Sequence, residues 1–167
     1  MKKTRFITTA AIIAALYVVF TLLASALGLS SYAIQVRFSA ALTILPFFTP
    51  AAIPGLYLGC ILANTLTPGV IIWDIIFGSF ATLIGAVGAY LLRKRPWLVP
   101  IPTIVSNAII IPFVLKYAYG VELPLPLLIL SIFVGEFLSC YVLGMILTMI
   151  FKKYQHVLFH TQPDGQK

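Results

Sequence analysis

No charged residue occurs in residues 6–36, 38–73, 75–92, 96–115 or 137–151 of this 167-residue chain. About 20 consecutive apolar residues are enough to carry a helix across the ~30 Å hydrocarbon core of a bilayer, so the chain has room for about six crossings. Backbone groups in lipid must satisfy one another, which restricts spanning segments to helices and closed barrels. The stretches lack the alternation of polar and apolar positions that a barrel strand needs, and so they predict helices. Composition agrees, with 61% hydrophobic and only 9% charged residues, where a soluble domain carries about a quarter charged. An all-α integral membrane protein is expected.

Spans are predicted over residues 6–27, 38–49, 53–67, 73–92, 98–117 and 125–151. Pro46, Pro50 and Pro54 divide the long run 38–73 into two short pieces, because proline interrupts a helix. Counting those pieces as two crossings places Lys2, Lys3, Arg5, Arg93, Lys94, Arg95, Lys152, Lys153 and Lys167 on one side, which the lysine and arginine bias makes cytoplasmic. Arg37 and Lys116 are then the basic residues near the outer face. One crossing instead of two would send Arg93, Lys94 and Arg95 outside. The expected organisation is a single six-helix domain over 1–154 with both termini cytoplasmic, followed by a short disordered cytoplasmic tail, 155–167, that contains His156 and His160. The start of the chain resembles a secretory signal, with Ala24-Ser25-Ala26 at the cleavage position. Its apolar stretch from Phe6 to Leu23 exceeds the usual ~7–15 residues, so a retained span is expected. The net charge of +7 falls mainly on one side and calls for no nucleic-acid partner.

Several chemistries have no carrier here. The chain contains no GxxxxGK[ST] phosphate loop, no HExxH and no GxSxG. Cys60 and Cys140 show neither CxxC nor metal-ligand spacing and are expected to be small packing residues; no metal site and no cofactor are expected. Ionisable residues inside spans are a different matter, since their burial in lipid is costly enough to imply a role. Asp74 opens the fourth predicted span, Asn64 closes the third and Arg37 precedes the second. Asn107 lies near the middle of the fifth. Glu136 falls about eleven residues into the sixth, or ~16 Å below the outer surface at 1.5 Å per residue. All of these polar groups fall in the outer half.

Specific segments carry a family likeness. Gln35-Val36-Arg37-Phe38-Ser39, the run from Ala41 through Pro46-Phe47-Phe48-Thr49-Pro50 to Ile53-Pro54-Gly55-Leu56, Gly59-Cys60-Ile61-Leu62-Ala63-Asn64, Asp74-Ile75-Ile76-Phe77-Gly78-Ser79, Ser106-Asn107-Ala108 and Gly135-Glu136 together resemble the QueT-type queuosine-precursor transporter family. The likeness extends over about residues 5–150. One departure is visible: an acidic residue often follows the Arg-Phe-Ser segment in the family, and this chain has Ala40 there.

The resemblance implies the substrate-binding S component of an energy-coupling factor importer: a six-helix membrane protein that captures a deazaguanine outside the cell. In that class a coupling membrane protein and two ATPases are partners, and ATP is used by those ATPases rather than by this chain. The guanine-like edge presents a ring N–H beside an exocyclic amine, which a carboxylate accepts as a pair. On that chemistry Glu136 is assigned to the edge, Asn107 to the ring carbonyl and Asp74 to an aminomethyl cation, with Asn64 and Arg37 nearby. Trp73, Tyr32 and Phe47 are candidate stacking surfaces. Plainer readings stand beside these. Asp74 also suits a helix N-cap, Asn64 and Asn107 suit bonds between helices, Glu136 suits a buried ion pair or a protonated structural carboxyl, Arg37 an interfacial anchor, and the aromatics ordinary packing. Ala10 with Ala14, and Ala11 with Ala15, form small-xxx-small pairs on the first span, for which the resemblance implies docking on the coupling protein; Gly55 with Gly59 is expected to pack internally. Other classes compatible with the residues are an S component for another vitamin or purine, a stand-alone proton- or sodium-coupled carrier using Glu136, and, less well supported, an intramembrane enzyme.

Overall fold

The computed structural model describes residues 2–28 and 37–158, and the described residues are entirely helical. The elements are α1 (Lys2–Ala26), a 3-10 helix (Phe38–Phe47), α2 (Ala52–Leu66), α3 (Ile72–Leu91), a single 3-10 turn (Pro96–Leu98), α4 (Ile101–Tyr117), α5 (Leu125–Glu136), a π-helical segment (Phe137–Leu143) and α6 (Gly144–Leu158). α5, the π segment and α6 follow one another without a break. Four stretches are long and apolar enough to cross a membrane: Lys3–Ala26, Ile72–Leu91, Pro96–Tyr117 and Leu125–Phe151. Phe38–Phe47 and Ala52–Leu66 are apolar but shorter, and α2 rises only ~22 Å at 1.5 Å per residue. The predicted spans therefore reappear as helices, with the proline-split run divided as expected. α6 continues to Leu158, past the boundary drawn at residue 154; residues 159–167 lie outside the described residues.

Successive helices pack as neighbours, α1 on α2, α2 on α3, α3 on α4 and α4 on α5, and the 3-10 helix is enclosed by α1, α2, α3, α6 and the π segment. Ser39 through Pro46 are all buried, as an element apolar on every face must be. Runs of 3-10 geometry beyond three or four residues are uncommon, so tertiary packing sustains this one. A second set of contacts explains the closeness of the helices. A Cβ added to Gly59 would lie 3.0 Å from the Ala14 carbonyl oxygen, and one on Gly55 would lie 2.7 Å from that of Ala10. Gly85 would meet the Thr103 Cα at 2.8 Å. Glycine and alanine thus let backbones approach where lipid offers no hydrophobic drive between helices. The outward faces carry Ile12, Val19, Leu62, Phe80, Ile84, Ile109 and Leu130, each exposed. Such a continuous apolar surface fits a bilayer.

Candidate functional site

One end of the bundle carries the turn 67–71 and the loop 118–124; the other carries the basic turn Arg93, Lys94 and Arg95, all exposed. Asn64, Asp74, Asn107 and Glu136 are all buried, at 5%, 7%, 7% and 5% exposure; Asn64 and Asp74 lie at the first end, whereas Asn107 and Glu136 lie near the middle of their spans. Glu136 is the last residue of α5, at the junction with the π segment, a rare form of helix that frequently accompanies functional sites. Its Oε2 accepts a hydrogen bond from the Cys140 thiol at 3.1 Å, and the Asn107 amide lies within its reach. Arg37, at the entrance to the 3-10 helix, shares an electrostatic neighbourhood with Asp74, Tyr17, Glu136 and Cys60, and its backbone N–H donates to the Ser139 hydroxyl at 3.2 Å. Residues from five helices and the 3-10 element therefore meet in one interior region.

Asp74 is not the helix cap that its position allowed. Ile71 occupies the N-cap of α3, and the Ile71 N–H donates to the Tyr119 hydroxyl at 3.2 Å, which in turn donates to Asp74 Oδ2 at 3.3 Å. Tyr119 follows α4, whose end is closed by Gly120 in the left-handed region at φ 67° and by the Val121 N–H returning to the Leu115 carbonyl. That sharp turn, which an L side chain rarely tolerates, directs the phenol back to α3. Burial first, and the charge of Asp74 with it, push the Tyr119 phenol above its ordinary value, while the Ile71 amide works the other way. The phenol stays a donor. Asn64 donates to the Asp74 backbone carbonyl at 3.3 Å, tying the end of α2 to the first turn of α3. The inter-helix bond that a plain reading gave to Asn64 is present.

Two of the aromatic candidates, Trp73 and Phe47, are not gathered with these groups. Trp73 is 52% exposed and lies, with its ring stacked on Phe77, along an apolar groove of about 600 Å³ between α3 and α4 that Phe113 and Tyr117 also line. Phe47 sits at the far end of the 3-10 helix, edge-on to Phe48 at 4.8 Å and packed on Ile44, Ala89 and Val99. Ala89 is fifteen residues beyond Asp74 on the same helix, so Phe47 is displaced from the cluster by ~22 Å along the axis. Tyr32 lies outside the described residues. The alanine pairs are divided as well: Ala14 is buried and Ala10 half-buried against Gly55 and Gly59 of α2, whereas Ala11 and Ala15 are exposed. The internal role expected for Gly55 and Gly59 thus consumes one pair.

Sequence reasoning missed three contributors. Cys140 is more than a packing residue, because its thiol reaches Glu136 and the Ala40 carbonyl at 3.4 Å, and Thr43 donates to its sulfur at 3.6 Å. Its i+4 spacing from Glu136 was the available signal. Tyr17 is buried beside Cys60 and Thr82, and only helical phase could have turned it inward. Tyr119 had no local signal. Among the described residues no group of three His, Cys, Asp or Glu side chains could hold a metal ion.

A profile of the QueT transporter family matches residues 7–153, nearly the whole chain. The chain belongs to the QueT transporter family. It is thus a multi-pass membrane protein of the queuosine-precursor transporter family, and the buried carboxylates of this QueT chain lie within the matched region. No curated protein and no solved structure matches it.

Proposed function

We propose that this protein is the substrate-binding S component of an ATP-driven energy-coupling factor importer and captures a 7-deazaguanine at the outer face of the membrane. The observation that carries the reading is the meeting of Glu136 and Asn107, from two different helices, in the buried interior of a transporter-family bundle. A charged carboxylate facing paired N–H donors in a water-poor interior makes strong, directional bonds, and an amide beside it supplies the donor that a ring carbonyl needs.

In this reading all six helices cross the membrane, and the end with Arg93, Lys94 and Arg95 faces the cytoplasm together with both termini. The cluster then opens outward. Within it Glu136 takes the amine edge, Asn107 the ring carbonyl and Asp74 a side-arm amine, with Arg37 and Asn64 holding the surrounding charge and helix ends. Stacking falls to Tyr32 rather than to Trp73 or Phe47, which lie away from the cluster. The exposed Ala11 and Ala15 form the docking stripe for the coupling protein, and two ATPases supply the energy. With both carboxylates ionised, Asp74 and Glu136 set two negative charges against one positive on Arg37, and a cationic ligand offsets the net −1, since an uncompensated buried charge is costly.

Equilibrium binding to the detergent-purified protein across a panel of deazaguanines, guanine and common vitamins tests the ligand. Sub-micromolar binding of a deazaguanine supports the assignment; affinity for a vitamin alone redirects it. Uptake into vesicles that lack the ATPases would replace the S-component reading with a stand-alone carrier.

A further inference from the structure

The Asp74 carboxylate is only half engaged. Oδ2 accepts from Tyr119, but Oδ1 is buried with no hydrogen-bond partner among the described residues, in a residue 7% exposed. A buried acceptor left unmade costs free energy that a native structure seldom tolerates without a use. One turn further along α3 stands Gly78. A Cβ added there would lie 3.2 Å from Asn64 Nδ2, 3.4 Å from Asp74 Oδ1 and 3.9 Å from Ile111 Cδ1. A methyl at that point would already sit closer to Asn64 Nδ2 than side chains ordinarily pack, so glycine lets the helices close around the carboxylate. Asn64 Nδ2 already donates to the Asp74 backbone carbonyl. Oδ1 is the acceptor left for a newcomer, and an ammonium group is the donor that meets a carboxylate most strongly.

We infer that Oδ1 of Asp74 receives the protonated side-arm amine of the ligand, and that Tyr119 is the positioning residue that makes this possible. By fixing Oδ2, and being fixed in turn by the Ile71 amide, the phenol leaves Oδ1 as the oxygen turned to the ligand. Tyr119 does not touch the heterocycle; it sets how strongly a cationic arm is preferred over a neutral one. The inference rests on the deazaguanine reading of the site.

The test compares 7-aminomethyl- and 7-cyano-7-deazaguanine by calorimetry on the full chain in detergent. The wild-type protein is expected to prefer the amine. Tyr119→Phe, which keeps the ring and removes only the hydroxyl, should weaken the amine roughly tenfold or more, the scale of a hydrogen bond to a charged group, while the cyano ligand changes less than about threefold. Asp74→Asn should erase the preference. Gly78→Ala, whose Cβ would lie 3.4 Å from Oδ1, should weaken the amine more than the cyano ligand; should it fail to fold, Tyr119→Phe still decides. Equal loss for both ligands in Tyr119→Phe, or no loss for either, overturns the inference while leaving the deazaguanine reading intact. Binding of neither ligand to the wild-type protein overturns the reading itself.

Discussion

Replacing Glu136 with glutamine separates what the carboxylate does for the ligand from what it does for the fold. The side chain is 5% exposed, accepts from Cys140 at 3.1 Å and lies within reach of Asn107. A glutamine of the same shape keeps one oxygen. If that oxygen stays with the Cys140 thiol, the new NH2 faces the donor edge of the ligand, and donor meets donor. Turning the amide over leaves the NH2 against a sulfur, a weak acceptor. Either arrangement also forfeits the negative charge, leaving the interior at zero before a cationic ligand enters. Disrupting a buried charge-assisted pair costs about 2–5 kcal/mol, which is ~30- to several-thousand-fold in Kd at ~1.4 kcal/mol per tenfold. The empty protein should not suffer, because Asp74 remains to balance Arg37 and the charge removed is the one in excess, whose burial unpaired is costly. Calorimetry with the aminomethyl compound, together with thermal unfolding with and without it, measures both. Expected are a collapsed affinity, a vanished ligand-induced rise in Tm, and an unchanged or higher Tm without ligand. An affinity within about threefold of wild type would remove Glu136 from the site, and a large fall in Tm of the empty protein would make it structural.

Further expectations concern packing, docking and pH. Gly85→Ala should lower thermal stability by about 1–3 kcal/mol, because its Cβ falls 2.8 Å from the Thr103 Cα and the two helices must part; Gly144→Ala, whose Cβ would meet the Ala41 carbonyl at an ordinary 3.6 Å, should not. Melting of the two variants in one detergent compares them directly. Ala15→Leu on the exposed face of α1 should leave ligand affinity within about twofold yet reduce energised uptake; undiminished uptake would move the docking stripe elsewhere. The Tyr119 phenol is raised above its ordinary value of 10.0 in the fold, so its contribution is complete below that pH and is lost as pH climbs through the higher folded value. Between pH 8 and about 11, wild type should lose stability more steeply than Tyr119→Phe; parallel curves would contradict this.

The long apolar runs made most of the fold legible. Residues 73–92 and 98–117 anticipate Ile72–Leu91 and Ile101–Tyr117 closely, because in a membrane chain the length of an uncharged stretch is itself the structural signal. Winding was not legible. Nothing in Phe38–Phe47 distinguishes a 3-10 from an α-helix, since its pitch is imposed by the five elements around it, and the π turn after Glu136 is equally a product of packing. Misplacement of Phe47 follows: the residue belongs to the opposite end from the carboxylates, and only the path of the short helix tells which end that is. Asp74, Asn107 and Glu136 were visible because polar groups stand out against lipid-compatible sequence. Tyr119 was not, because a tyrosine in a loop is unremarkable until the turn at Gly120 aims it. Helical spacing alone could not choose between the two alanine pairs, which differ by a rotation of one residue.

A thiol owns a single hydrogen. Cys140 nonetheless faces two acceptors, Glu136 Oε2 at 3.1 Å and the Ala40 carbonyl at 3.4 Å, and can satisfy just one of them at a time. Any molecule that brings its own donors to Glu136 relieves the cysteine of that duty and frees it to swivel toward Ala40. The carboxylate and the opening turn of the 3-10 helix, whose other end packs against Ala89 and Val99, therefore compete for one proton.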